Sequence, residues 1–285
     1  MNEKLVGLPW FGGKSATAPS GSGKWVTSLL PTNAEVYIEP FAGMLGVLLQ
    51  REPARVEIIN DLDQNVAAFW KTLRDQPEAL ETLLEATEYS DTVCREALQT
   101  LAEPTSSDLR RAWALTVVAG QSIRQPSNWS ASAWRRPAYI RTSKYNMAKQ
   151  FNTMCLRLTC EQMRARLRNI HVDNRDATEI ISRYATNPQV LLYIDPPYAG
   201  NYAAYGATIN HDTTNQIIET ITADTCKAKI AVSGYPTCKY KELTAHDWSE
   251  SQLNVLTTTS ANNDKTPRTE CLWTNYQPEN TLFTI

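Results

Sequence analysis

Residues 190–198 read Val-Leu-Leu-Tyr-Ile-Asp-Pro-Pro-Tyr. The unbroken apolar run has the length of a strand buried on both faces. Two prolines then end it, because neither donates a backbone hydrogen bond and each fixes its own φ. A strand covered on both faces belongs to a mostly parallel sheet flanked by helices. Strands are therefore expected at Val190–Asp195 and, from similar short runs, at Val36–Glu39, Val56–Asn60, Ile170–Asp173 and Lys229–Ser233. Helical patterns lie between several of them. One runs from Gly43 to Arg51, and one from Gln64 to Leu73 with apolar residues at 66, 69, 70 and 73. A longer helix is expected from Pro77 to Leu101, with the proline near its start. Asp108 is expected to cap a helix running to about Ala119. Leu253–Thr259, Glu270–Asn275 and Thr281–Ile285 have no long helix between them and predict an antiparallel edge.

The chain has 285 residues, 42% apolar and 20% charged, enough to bury one large core or a core carrying an insert. This alternation predicts an α/β core built from residues 1–76 and 169–285, interrupted by a helical insert at 77–168. No window approaches the apolar length of a membrane span, and the N-terminus lacks a secretory-signal pattern. Six cysteines without a CxxC and three histidines argue against a zinc cluster and for reduced thiols of a cytoplasmic protein.

The net charge of −2 hides a separation. Between Leu109 and Cys160 there is no acidic residue, but there are nine basic ones: Arg110, Arg111, Arg124, Arg135, Arg136, Arg141, Lys144, Lys149 and Arg157. Trp129, Trp134, Tyr139 and Tyr145 are interleaved with them. Cations mixed with aromatic planes suit a surface that grips phosphates and stacks bases, although a solvated basic face gives the same composition.

In parallel sheets, ligands gather beyond the carboxyl ends of strands. Three loops stand there: Glu39-Pro-Phe-Ala-Gly43, Asn60-Asp-Leu-Asp63 and Asp195-Pro-Pro-Tyr198. In the last, the Asp195 side chain and the Pro196 carbonyl offer two acceptors that orient both hydrogens of an NH2 group. Pro197 stiffens the turn and Tyr198 offers a face for a planar base. Gly43 permits a tight turn and Gly46 a close backbone approach at a helix start. Asp61 and Asp63 follow at the distance expected of a ribose-binding acid. Pro9-Trp-Phe-Gly-Gly-Lys14 can lie over a ligand and present a cation. Gly21-Ser-Gly-Lys-Trp25 lacks phosphate-loop spacing.

PWFGGK, IEPFAG, INDLD, a basic insert and LLYIDPPY, in that order, resemble the Dam-type family of DNA adenine-N6 methyltransferases. The resemblance spans about residues 5 to 200. It implies a Rossmann-like methyltransferase fold with S-adenosylmethionine as cofactor. It also implies base flipping in double-stranded DNA, with residues 77–168 as the target-recognition region. By that likeness Trp10, Lys14, Glu39, Phe41, Gly43, Asp61, Asp176 and Asp195 are cofactor-site positions, and Asp195, Pro196, Pro197 and Tyr198 are the catalytic motif. Arg124, Asn128, Arg135, Arg136, Arg141 and Lys144 are the candidate DNA contacts. The chain departs from the family pattern at Pro9, where lysine is common, and at Leu45, which occupies the second glycine position of FxGxG. A monomer of bacterial or phage origin is expected, and a cognate restriction endonuclease is a candidate partner. Cytosine-N4 or RNA-adenine methylation and an inactive DNA-binding relic are the alternatives. A dinucleotide oxidoreductase is disfavoured because GxGxxG is missing.

Overall fold

The computed structural model describes residues 4–10, 12–14, 21–122, 134–135, 146–197, 211–258 and 265–278, with the backbone alone at 211, 255–258 and 265–268. Seven strands form one sheet: β1 Val36–Glu39, β2 Val56–Asn60, β3 Ile170–Asp173, β4 Val190–Ile194, β5 Lys229–Gly234, β6 Ser249–Thr258 and β7 Lys265–Thr274. Their order is β3-β2-β1-β4-β5-β7-β6. The first five are parallel; β7 is antiparallel to both β5 and β6. This is the α/β fold expected, a mostly parallel sheet with an antiparallel edge. The edge strands run longer than their apolar signals suggest, and Thr281–Ile285 lies outside the described residues.

The helices are α1 Ser22–Leu29, α2 Gln64–Asp75, α3 Pro77–Glu85, α4 Asp91–Ala102, α5 Asp108–Gln121, α6 Met147–Leu158, α7 Glu161–Leu167, α8 Ala177–Tyr184 and α9 His211–Thr222. Alternating residues of the strands serve two cores, as a period of two requires. Tyr37, Ile59, Leu191 and Tyr193 face one cluster, which also holds Phe69 and Trp70 of α2 and Trp113 and Leu115 of α5. Ile38, Ile58, Leu192 and Ile194 face the other, with Ile180 and Ile181 of α8 and Ile217 and Ile221 of α9. Residues 77–168 supply α3–α7, whose apolar side chains continue the first cluster.

Three local expectations are corrected. The helix expected from Pro77 to Leu101 is two, because the Ser90 side chain accepts from Val93 N and starts α4 afresh. Gln121 pins the break, accepting from Ser90 N at 3.1 Å and donating to Glu88 O at 3.0 Å. The cap of α5 is Ser107, accepting from Arg110 N; Asp108 is the acidic residue of the first turn. The Gly43–Arg51 helix shrinks to a 3-10 turn at Leu48–Gln50. Gly43 and Leu45 both take positive φ, 45° and 53°, which no helix accommodates.

Candidate active site

Strand order reverses between β1 and β4, so the loops beyond these two strands diverge and leave a crevice. β1 ends in Glu39 and β4 runs directly into Asp195. The cleft there encloses about 1120 Å³, its open mouth included. All eight expected cofactor-site residues line it: Trp10, Lys14, Glu39, Phe41, Gly43, Asp61, Asp176 and Asp195. Pro196 and Pro197 line it too, whereas Tyr198 lies outside the described residues.

The cleft floor is knotted by Asn60, fully buried at the end of β2. Its Nδ2 donates to Pro40 O at 2.9 Å and Arg175 O at 3.1 Å, while its Oδ1 accepts from Arg175 N at 2.9 Å. One side chain thus joins the loops after β1, β2 and β3. Asp61 completes the knot: Gly43 N and Asp63 N each donate to its carboxylate at 2.9 Å. Burial still outweighs those bonds and raises its pKa to about 6. Asp176 caps α8, accepting from Thr178 N at 2.8 Å. The cap fixes its place at the cleft wall.

Glu39 is buried, and Tyr37 Oη donates to its Oε1 at 2.7 Å. Burial foremost, with the nearby Asp195 charge, pushes its pKa up to about 8 against the lowering pull of the tyrosine bond. Arg51 packs over the Tyr37 ring with its guanidinium carbon 3.9 Å from the centroid.

The sequence presents Lys14 as a cation offered to a ligand; in the fold its ammonium lies 2.8 Å from both carboxylate oxygens of Asp195. The backbone places it there. A Cβ on Gly46 would sit 2.6 Å from the Lys14 carbonyl carbon, and one on Gly23 would collide with its oxygen. Gln50 Nε2 donates to that oxygen at 2.8 Å. The close approach that Gly46 permits is therefore that of the N-terminal loop, not of a helix start. Burial works against the Lys14 charge, but Asp195 and Glu270 outweigh it and its pKa is raised. Trp10 enters the same wall through the space left by Gly43, where a Cβ would lie 3.3 Å from Nε1.

The expected DNA-contact set is mostly beyond description: Arg124, Asn128, Arg136, Arg141 and Lys144 lie outside the described residues. Arg135 is described, and its Nη2 donates to Ser122 O at 3.1 Å. Its main chain is held as well, with Arg135 N donating to Gln121 O at 2.8 Å and Tyr89 Oη to Arg135 O at 2.9 Å. Two other cations of the basic stretch are committed internally. Arg111 is buried on Asn65, Ser106, Glu103 and Pro104, and Arg110 pairs with Glu96. Lys149 and Arg157 are exposed.

Sequence reasoning gave no role to three residues that shape the site. Tyr193 could have been found, because it shares the face of Asp195 two residues on; it lines the cleft and its hydroxyl lies 2.7 Å from Ser233 Oγ. Asn60 could be placed at a strand end, but its three-loop role carries no local signal. Glu270 reaches Lys14 from β7, the strand between β5 and β6, and nothing in the sequence announced it.

No curated protein matches the chain. Among solved structures, the rRNA methyltransferase aviRa from Streptomyces viridochromogenes is 14% identical, with 88% of this chain and 80% of that chain covered and a TM-score of 0.33. The family model of the D12 class N6 adenine-specific DNA methyltransferases matches residues 10–259, from the Trp10 loop through the Asp195 motif and into the edge of the sheet. The chain therefore belongs to the D12 class of N6 adenine-specific DNA methyltransferases.

Proposed function

We propose that this chain transfers methyl groups from S-adenosylmethionine to adenine N6 at specific sites in double-stranded DNA, with the cleft between β1 and β4 as its active site. The observation that carries the reading is the emergence of Asp195, Pro196 and Pro197 at the sheet's switch point, in the same cleft as Glu39 and Asp61. The cleft's donor set fits the cofactor. Asp61, Asp63, Asp176 and Asp195 line it with Lys14, an acidic excess that favours a ligand bearing positive charge. Asp61 would accept from a ribose diol, Glu39 would face the amino-acid end, and Phe41 with Leu62 would flank the adenine. When bound, S-adenosylmethionine supplies an electrophilic methyl group on a sulfonium.

The remaining chemistry belongs to the chain. The N6 lone pair of adenine is delocalised into the ring and is a poor nucleophile. The Asp195 carboxylate accepts one N6 hydrogen and the Pro196 carbonyl the other, which favours an sp3-like nitrogen whose lone pair faces the donor. A carboxylate has about four acceptor positions, so Asp195 can hold Lys14 and an N6 hydrogen together. Two prolines hold the turn rigid, and such positioning contributes several kcal/mol toward the barrier. The Asp195 charge also stabilises the positive charge that grows on nitrogen. The base must leave the duplex, at a cost of a few kcal/mol. Stacking on Tyr198 would offset about 1–3 kcal/mol of it.

Residues 77–168 form the DNA-holding region in this reading, with Arg124, Asn128, Arg136, Arg141 and Lys144 the candidates for phosphate and base contacts. Arg135 belongs to the same candidate set, held by its bonds to Ser122 and Gln121. Mass spectrometry of nucleosides from treated DNA and RNA duplexes tests the proposal. N6-methyladenine in DNA is expected, and Asp195→Ala should lower its formation by about 10³-fold or more while duplex binding persists. Formation of N4-methylcytosine instead, or full activity of the variant, would reject it.

A further inference from the structure

We propose that Glu270, on the antiparallel strand β7, is a positioning residue for methyl transfer: it shares the Lys14 ammonium with Asp195 and so keeps the Asp195 carboxylate electrostatically available to the target amine. The proposal rests on the adenine-methylating reading of the cleft. Lys14 Nζ lies 2.8 Å from Asp195 and 3.9 Å from Glu270 Oε2, with side-chain exposures of 3% for Lys14, 22% for Asp195 and 13% for Glu270.

An Asp195–Lys14 pair on its own would be neutral overall and would offer little to a nitrogen turning cationic. A second carboxylate against the same ammonium takes up part of its charge, so less of that charge is spent on Asp195. In a partly buried site, where the effective dielectric is about 20, charges a few ångströms apart still interact strongly. Gly23, Gly46 and Gln50 hold the Lys14 backbone, and its buried side chain is held by bonds to both Asp195 oxygens. The Glu270 backbone is placed by the sheet. It sits opposite Leu253 in the β6–β7 ladder, next to Cys271, which pairs with Gly234 at the end of β5. Strand β7 thus delivers a counter-charge to a site that the family motifs place on the far side of β5.

The test compares Glu270→Gln and Glu270→Asp with the native chain. Glu270→Gln should lower the single-turnover methylation rate by about tenfold. KM for S-adenosylmethionine and the Kd for duplex DNA should stay within about threefold, and Glu270→Asp should recover most of the rate. A second readout needs no cofactor. The Lys14 side-chain amine, followed by nitrogen-15 NMR, faces Asp195, Glu270 and the Tyr235 hydroxyl. Removing one of its anions should move its deprotonation to lower pH. A native rate in Glu270→Gln, or losses shared equally by rate, binding and thermal stability in both variants, would overturn the proposal. If the native chain makes no N6-methyladenine, the adenine reading itself fails, whereas an unmoved Lys14 titration rejects Glu270 alone.

Discussion

Leu45 holds φ at 53° without being glycine, at the position where the FxGxG pattern has its second glycine. Left-handed backbone costs a leucine about 1–2 kcal/mol. Its fully buried side chain offsets this, because burying a leucine is worth about 1.5–3 kcal/mol. Leu45→Gly should therefore relieve strain yet lower stability by about 1–3 kcal/mol, read from urea unfolding, since the cavity outweighs the relief. Glu39 makes a pH prediction. Its folded pKa is raised to about 8 from an ordinary carboxylate value of 4.5. Between those values the folded chain holds a proton that the unfolded chain has released, so stability should fall as pH rises through this window. Glu39→Gln should flatten the decline of the thermal midpoint between about pH 5 and pH 8. An equally steep decline in the variant would assign the effect elsewhere. Asp195 and Glu39 were legible in the sequence because a strand end places them by simple alternation. Glu270 was not, because its partner is set by a crossing of the sheet rather than by any local pattern.

At the scale of elements, one buried ion pair ties α7 to β2. Arg166 donates to both carboxylate oxygens of Glu57, and its Nη2 also donates to Leu48 O at 3.0 Å. Glu57 in turn accepts from Ala54 N. Breaking such a pair strands a buried charge, so Arg166→Met should destabilise by about 3–5 kcal/mol in denaturant unfolding, and Arg166→Met with Glu57→Gln by less. The five parallel strands were readable because apolar runs bounded by polar turns carry their own signal. The break between α3 and α4 was less so. The stretch from Pro77 to Leu101 keeps a helical pattern, and only the Ser90 cap with its Gln121 brace divides it. The turn after Gly43 escaped for a related reason: helix-favouring residues there are overruled by two positive φ angles that the cleft requires.

For the molecule as a whole, charge separation remains the most direct route to the nucleic-acid partner, though it is smaller on the surface than in the sequence. Of the nine cations between Leu109 and Cys160, Arg111 is buried and Arg110 is paired. Replacing Arg136, Arg141 and Lys144 together by alanine should weaken duplex binding. The magnitude of its log-log salt slope should fall by up to about 3, near 0.9 for each phosphate no longer neutralised. Arg135→Ala should change that slope less, because its Nη2 already donates to Ser122 O. The strand order holds one more consequence. β7 slots between β5 and β6 although it follows both in the chain, and it brings Glu270 to Lys14. On the ribosome, β6 must therefore wait without a partner, and the Lys14 cluster stays incomplete until β7 has emerged. An enzyme assembled in this order completes its Lys14 cluster only when the last part of its sheet has been translated.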